Sequence, residues 1–577
     1  MKEYIFSDLQ KICTCKERIS NRPRVDCWQY MDYQTASVSG RLLLAGEECK
    51  PQEVEMSIGL HGWYKIYIAY VDMFYPSDEK TRILIKLSDE VIYHDIRSSR
   101  YVKPRHWMPY EYVEENFWKC AYLTGQSILL KKPDIWHPFV TAIAWIRCVE
   151  MTAEEVRQYE KDIANTSCRH CHVHYDNDDC AEGEVSTIQD TLTRLACLQN
   201  SDAKFCSIEL SCLYDLVDLQ GRVSLTTEDK AMLSGTTKML QRIQEINKAK
   251  IELLHSYGIR AYAAYRMSLG NFQVPYNCLA QLRFVQDHPQ FFCRTREGDV
   301  VKVCSYAYRD VQDYMIEMLK GFVSEGFDGV SLIYHRGIHL GFEQPVLDTF
   351  AEKYPGIDPC RLPFSDERLN GVWRELMTGF MKRLREELDH VSGRHVYINV
   401  IMDFSPKTSY DMGLDAAEWA CLGLVDSICQ GDMETFENLE GCLLDDGTID
   451  MEKYKKKIKR ERVVERFHSN DLEKTKQGAK QYQKITDEYG VEFYGGMPYP
   501  NVQPECYLKY KEALKELGVT GYSIFNFIHS TWDLPSCHVL TKLCHDRIPE
   551  EERIPAFYRV ISLDGSNIGT YNPNWRG

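Results

Sequence analysis

A chain of 577 residues is too long for one ordinary hydrophobic core, so two or more domains are expected, one of them large enough to be a barrel. With 44% hydrophobic and 27% charged residues, the composition excludes a disordered chain. A formal net charge of -16 repels a phosphate backbone, which sets nucleic acid aside as a partner and favours neutral ligands.

The N-terminal stretch MKEYIFSDLQKICTCKER has no basic segment followed by an apolar run and a small-residue cleavage site, so it does not read as a secretory signal. No segment approaches the roughly 18 apolar residues of a membrane span; the best is FVTAIAWI. The expected location is cytoplasmic, without a membrane partner. The 22 Cys are scattered without framework spacing and read as buried thiols rather than a disulfide scaffold.

Up to about residue 148, VEMSIGLHGWYKIYIAYVDMF, TRILIKLSDEVIYHDI and QSILLKKPDIW are short, partly alternating and rich in β-branched and aromatic residues. They predict a β-sandwich-like domain over 1–148. The texture changes at TAEEVRQYEKDIAN, where Thr152 and Glu155 have capping-box spacing at the head of a helix. From 149 to 548, eight compact apolar runs alternate with amphipathic helices: CRHCHVHYD, FCSIELS, IRAYAAYR, DGVSLIY, HVYINVIMD, LVDSICQG, VEFYGGMPY and VTGYSIFNF. Eight such units predict a (β/α)8 TIM barrel in the α/β class, with an open α/β sheet as the alternative. The basic run at 454–465 falls between the sixth and seventh strands and reads as a solvated insertion. The tail 549–577 contains one or two strand-like runs that can return to the N-terminal domain.

Barrel active sites sit at the C-terminal ends of the strands. That places Asp176, Glu209, Ser211, Arg266, Tyr334, His335, Arg336, Asp403, Asp432, Asn526 and His529 at one mouth, with Tyr499, Asn501 and Trp532 in the loops after the last two strands. Alternation puts Ser207, Glu209 and Ser211 on one face of the second strand, and Asn399, Ile401 and Asp403 on one face of the fifth.

The fourth unit, EGFDGVSLIYHRG followed by FEQPVLDTFAEKYPGIDPCRLPFSDERL, resembles the corresponding segment of the family-10-like glycoside hydrolases, bacterial proteins with a β-rich N-terminal domain and a (β/α)8 barrel. GLHGWYKIYIAY, GIRAYAAYRM and GLDAAEWACLGLVD extend the resemblance over most of the chain. It implies a hydrolase of glycosidic bonds, with a carbohydrate substrate and no cofactor. One position departs from the pattern: relatives with an FDGI-x-LD strand carry Asp where this chain has Ile333.

Glycoside hydrolysis needs two carboxyl groups flanking the bond, one protonated and one ionised. Glu343, following the fourth strand beside His335 and Arg336, is the expected acid. Asp403 is the expected partner, with Glu209, Asp176 and Asp432 behind it. Tyr334, Asn399, Tyr499, Asn526 and Trp532 complete the expected sugar-binding set with Arg266, His335 and Arg336, because flat rings and amides suit pyranose faces and hydroxyls.

The dense stretch CRHCHVHYDNDDC at 168–180 suggests a metal, but the strand period splits its Cys pair between faces and leaves His170, His172 and His174 with Asp176. The expectation is a strand that delivers Asp176 to the mouth, with no metal. A metal-dependent hydrolase of a small polar substrate and a carbohydrate-binding barrel without catalysis are the alternatives.

Overall fold

The computed structural model of the chain describes residues 2–46, 48–71, 81–98, 112–133, 140–176, 187–211, 242–270, 282–335, 337–391, 393–431, 441–445, 447, 449–450, 452–454, 456, 471–498, 502–527 and 533–563. Arg336, Asp432, Tyr499 and Trp532 lie outside them, as do His529, Asn501, most of the basic run and residues 177–180.

The alternating runs at the start of the chain pair as antiparallel strands. In spatial order they are Glu3–Phe6, Thr141–Glu150, Ser39–Ala45, Trp28–Thr35, Ala556–Leu563, Tyr112–Thr124 and His61–Val71. His61–Val71 pairs back onto Thr141–Glu150, so the sheet closes a circuit. One face of this circuit buries Met31, Leu42, Leu44, Val71, Val113 and Trp145. Its other face, carrying Ile66, Ile68, Trp118 and Ile143, packs against a second sheet of four strands through Ile83, Ile85, Ile128 and Leu130. Two sheets over a shared core make the sandwich-like arrangement that the period-2 pattern predicts. Ala556–Leu563 enters the large sheet between Trp28–Thr35 and Tyr112–Thr124, so the chain returns to its first domain after completing the barrel.

Thr152 caps the helix Ala153–Ala164 as its spacing predicts: its hydroxyl accepts from the Glu155 N–H at 3.2 Å, and the Glu155 carboxylate accepts from the Thr152 N–H at 2.8 Å. The same carboxylate meets Lys65 at 2.8 Å and ties the helix to the sheet.

The barrel has eight parallel strands, here β1 (Cys171–Tyr175), β2 (Ala203–Glu209), β3 (Arg260–Arg266), β4 (Gly329–Ile333), β5 (Tyr397–Met402), β6 (Ser427–Gln430), β7 (Glu492–Gly496) and β8 (Tyr522–Ile524), each paired to the next, with β8 closing on β1. Seven lie within the apolar runs read from the sequence, and β2 begins two residues ahead of its run, at Ala203. Outward residues such as Val173, Ile208, Ala263, Leu332, Val400 and Ile428 join the core beneath the helices Ile243–Ser256, Arg309–Ser324, Glu367–Val391, Leu472–Tyr489, Pro504–Lys515 and Leu534–Thr541. Gly258 and Gly518 follow two of these helices at φ +71° and +85°, a left-handed turn that suits a residue without Cβ. The β3–β4 connection also carries an antiparallel hairpin, Phe292–Arg294 with Val300–Cys304, that the periodicity did not reveal.

Candidate active site

Inside the barrel the inward side chains form layers. Phe205, Tyr262, Tyr397 and Tyr494 fill the N-terminal end, with Phe205 and Tyr262 stacked at 4.5 Å and Tyr262 and Tyr397 at 5.9 Å. Above them lies a polar belt. His172 meets the hydroxyl of Ser523 at 3.0 Å through Nδ1 and that of Ser207 at 2.9 Å through Nε2. Ser207 contacts Ser331, Asn399 Nδ2 donates to Ser331 at 2.9 Å, and Asn399 Oδ1 accepts from Ser427 at 2.8 Å and from the Cys429 thiol at 3.3 Å. Six strands are thus joined by hydrogen bonds in a water-excluded interior, which meets the requirement that buried polar groups be paired. Burial holds the His172 pKa well below the ordinary histidine value, so its imidazole is neutral.

The next layer is the mouth. Glu209, at the end of β2, accepts from His174 Nε2 at 3.1 Å and from the Ser211 hydroxyl, and its carboxylate lies 3.3 Å from the Arg266 guanidinium. Arg266 reaches Asp176 of β1 at 3.5 Å, and its backbone N–H donates to Ser211 at 2.7 Å. Burial alone would raise the Glu209 pKa, but the Arg266 charge and the His174 and Ser211 hydrogen bonds outweigh it, and the carboxyl is held below its usual range as a carboxylate. His174 Nδ1 accepts the backbone N–H of Asn526 at 3.3 Å. Because a backbone N–H can only donate, Nδ1 is the acceptor and Nε2 is left to donate to Glu209. Asn526 sits at φ +51°, in the left-handed region that Asn tolerates better than most residues.

Asp403, at the end of β5, is fully buried; its Oδ2 accepts from Ser409 at 3.3 Å, and its carbonyl accepts from the Tyr482 hydroxyl at 2.9 Å. Phe525 stacks on His174 with ring centres 4.1 Å apart and meets the His335 ring edge-on at 4.6 Å. Gly431 makes room for His335, since a Cβ there would stand 2.8 Å from its Cγ. The structure therefore gathers Asp176, Glu209, Arg266, His335, Asp403 and Asn526 at the strand ends.

Three expected residues stand elsewhere. Glu343 is fully buried under the β3–β4 hairpin, where its carboxylate accepts from the Ser305 hydroxyl, the Gly341 N–H at 3.1 Å and the Arg294 N–H at 3.4 Å. It pins that hairpin, and burial raises its pKa against the pull of these hydrogen bonds. Tyr334 points outward into the helix layer, its hydroxyl on Met381 Sδ at 3.2 Å, as its parity next to inward His335 requires. Asn399 belongs to the polar belt one layer below the mouth and is spent on Ser331, Ser427 and Cys429. Ile333 is buried and inward, packed with Ala264, Ile401 and Phe525. His174 and Phe525 belong to the site although neither was expected in it; inward parity with Asp176 and Ser523 was the available signal.

The His-rich strand divides its donors. His172 engages two serines in the belt, and His174 engages Glu209 and Asn526 above it. Among the described residues no three His, Cys, Asp or Glu side chains are placed to share a metal ion, and no helix is long and apolar enough to cross a membrane.

The chain matches no protein-family model and no curated protein. Among solved structures it is similar to an alpha-galactosidase from Thermus thermophilus, at 11% identity and TM-score 0.35 over 90% of this chain and 95% of that one. It is also similar to the glycoside hydrolase domain of PelA from Pseudomonas aeruginosa, at 8% identity and TM-score 0.31 over 63% and 96%. A ruminal GH26 endo-beta-1,4-mannanase follows, at 9% identity and TM-score 0.31 over 95% and 96%. The barrel is defined by its own closed strand pairing and does not depend on these likenesses.

Proposed function

We propose that the barrel mouth binds a carbohydrate and hydrolyses a glycosidic bond, with Glu209 as the ionised carboxylate and Asp403 as the proton-donating partner. The observation that carries this reading is the bracing of Glu209 by Arg266, His174 and Ser211 at the end of β2, on the same inner surface that carries Asp403 at the end of β5. A carboxylate so held is suited to serve as nucleophile or to activate water, and a second carboxyl group completes the pair that glycoside hydrolysis needs. Phe525 and His335 supply ring surfaces beside them. The family-10-like motifs point to the same chemistry, with Glu343 replaced by Asp403 as the acid.

A panel of aryl glycosides tests the assignment. Asp403→Asn is expected to lose activity on poor leaving groups and retain it on activated aryl groups, which need no protonation. Glu209→Gln is expected to lose turnover on both by about 10²–10⁴-fold or more. Full activity in Glu209→Gln would overturn the reading.

Ile333 favours a second reading, in which the mouth binds a saccharide without cleaving it, because the inward position that is Asp in relatives is apolar here. Saccharide binding that Arg266→Ala weakens, with no turnover of any glycoside, is the outcome that selects it.

A further inference from the structure

We propose that Cys544 and Cys171 form a thiol–disulfide exchange site at the closing seam of the barrel, Cys544 meeting a low-molecular-weight disulfide and Cys171 resolving the adduct into an intramolecular bond. β8 and β1 pair over only Cys171↔Tyr522, His172↔Ser523 and Val173↔Ile524, so the seam is short. Cys544 follows the last barrel helix, Leu534–Thr541, and its Sγ lies 3.5 Å from that of Cys171. Both sulfurs need to approach by only about 1.5 Å to reach bonding distance, within the range of a side-chain adjustment.

One residue places both cysteines. The Asp202 carbonyl accepts the Cys171 N–H at 2.9 Å, and the Asp202 carboxylate accepts the Cys544 N–H at 2.7 Å. The same carboxylate engages His545 Nδ1 at 3.0 Å and raises its pKa, which favours the charged imidazole next to Cys544. Cys171 is buried and Cys544 is partly exposed, which orders their roles: the accessible thiol reacts first. A second pair of thiols, Cys197 and Cys537, interacts between the short helix Ala196–Leu198 and the helix Leu534–Thr541.

The chemistry balances with a small disulfide as oxidant. The Cys544 thiolate attacks it, forming a mixed disulfide and releasing one thiolate, which takes up the proton Cys544 gave up. The Cys171 thiol then loses its proton and attacks Sγ of Cys544, and the second small thiolate leaves. The protein loses two electrons, and one small disulfide becomes two small thiols.

The experiment treats the reduced full-length protein with glutathione disulfide and maps peptides without reduction. A Cys171–Cys544 linked peptide is expected, together with a Tm rise of roughly 5 °C that dithiothreitol reverses. Cys171→Ser should trap the glutathione adduct on Cys544, and Cys544→Ser should give neither adduct nor link. Cys421, exposed on the barrel surface, reports ordinary thiol reactivity in the same digest. Complete modification of Cys421 without the linked peptide overturns the proposal, as does a link that forms only in denaturant. Both readouts are made on the unsubstituted chain, so a variant that fails to fold leaves the test intact.

Discussion

His174 donates Nε2–H to Glu209 across 3.1 Å only because the backbone of Asn526 occupies its other ring nitrogen. A residue just beyond β8 thereby orients an imidazole that supports, beside Arg266, a carboxylate at the end of β2. Replacing His174 by Ala removes one of the hydrogen bonds that lower the Glu209 pKa, so that pKa rises. The acidic limb of the pH–rate profile is expected to move to higher pH, with turnover reduced by up to about 10²-fold from lost positioning. An unmoved limb would separate His174 from Glu209.

Glu343→Gln is expected to leave the mouth chemistry within a few-fold of the parent and to change stability instead. The folded-state pKa of Glu343 is raised by burial. Below about pH 4.5 the group is protonated in both states; as pH rises the unfolded chain ionises first, and the stability contribution is lost through the raised folded value. Thermal melts across pH should show this loss in the parent and its absence in Glu343→Gln.

Asn399→Leu removes the acceptor of Ser427 and Cys429 and the donor to Ser331, all buried. Each group left without a partner costs about 1–3 kcal/mol. Urea denaturation should report the sum as a lower midpoint, and an unchanged midpoint would mean that the belt re-pairs.

Gly431→Ala places a methyl 2.4 Å from the Met402 carbonyl oxygen and 2.8 Å from His335 Cγ. Backbone cannot yield as a side-chain tip does, so about 1–3 kcal/mol of destabilisation is expected, with His335 displaced. Weaker saccharide binding at matched folded fraction is the specific readout.

The eight strands were legible because each is a short apolar run between helices of regular period, and parity then sorted inward from outward side chains. Glu209 and Asp403 followed from that parity, and Arg266 from its place at a strand end. Tyr334 did not, because strand-end position was weighed there without parity, and one residue turned it into the helix layer. Glu343 did not, because its partners Arg294 and Ser305 belong to a hairpin about forty to fifty positions upstream, and no local pattern announces a contact at that separation. Asn399 was rightly placed inward, but how deep an inward residue lies depends on barrel stagger, which spacing along one strand does not carry.

The strand Ala556–Leu563 fills the gap between two strands synthesised hundreds of residues earlier. During translation the first domain must wait, with the edges of Trp28–Thr35 and Tyr112–Thr124 unsatisfied, until the barrel has been made. Its folding is therefore completed by a segment made after the barrel. A fragment cut before this strand would carry two open edges, ready templates for association with other chains.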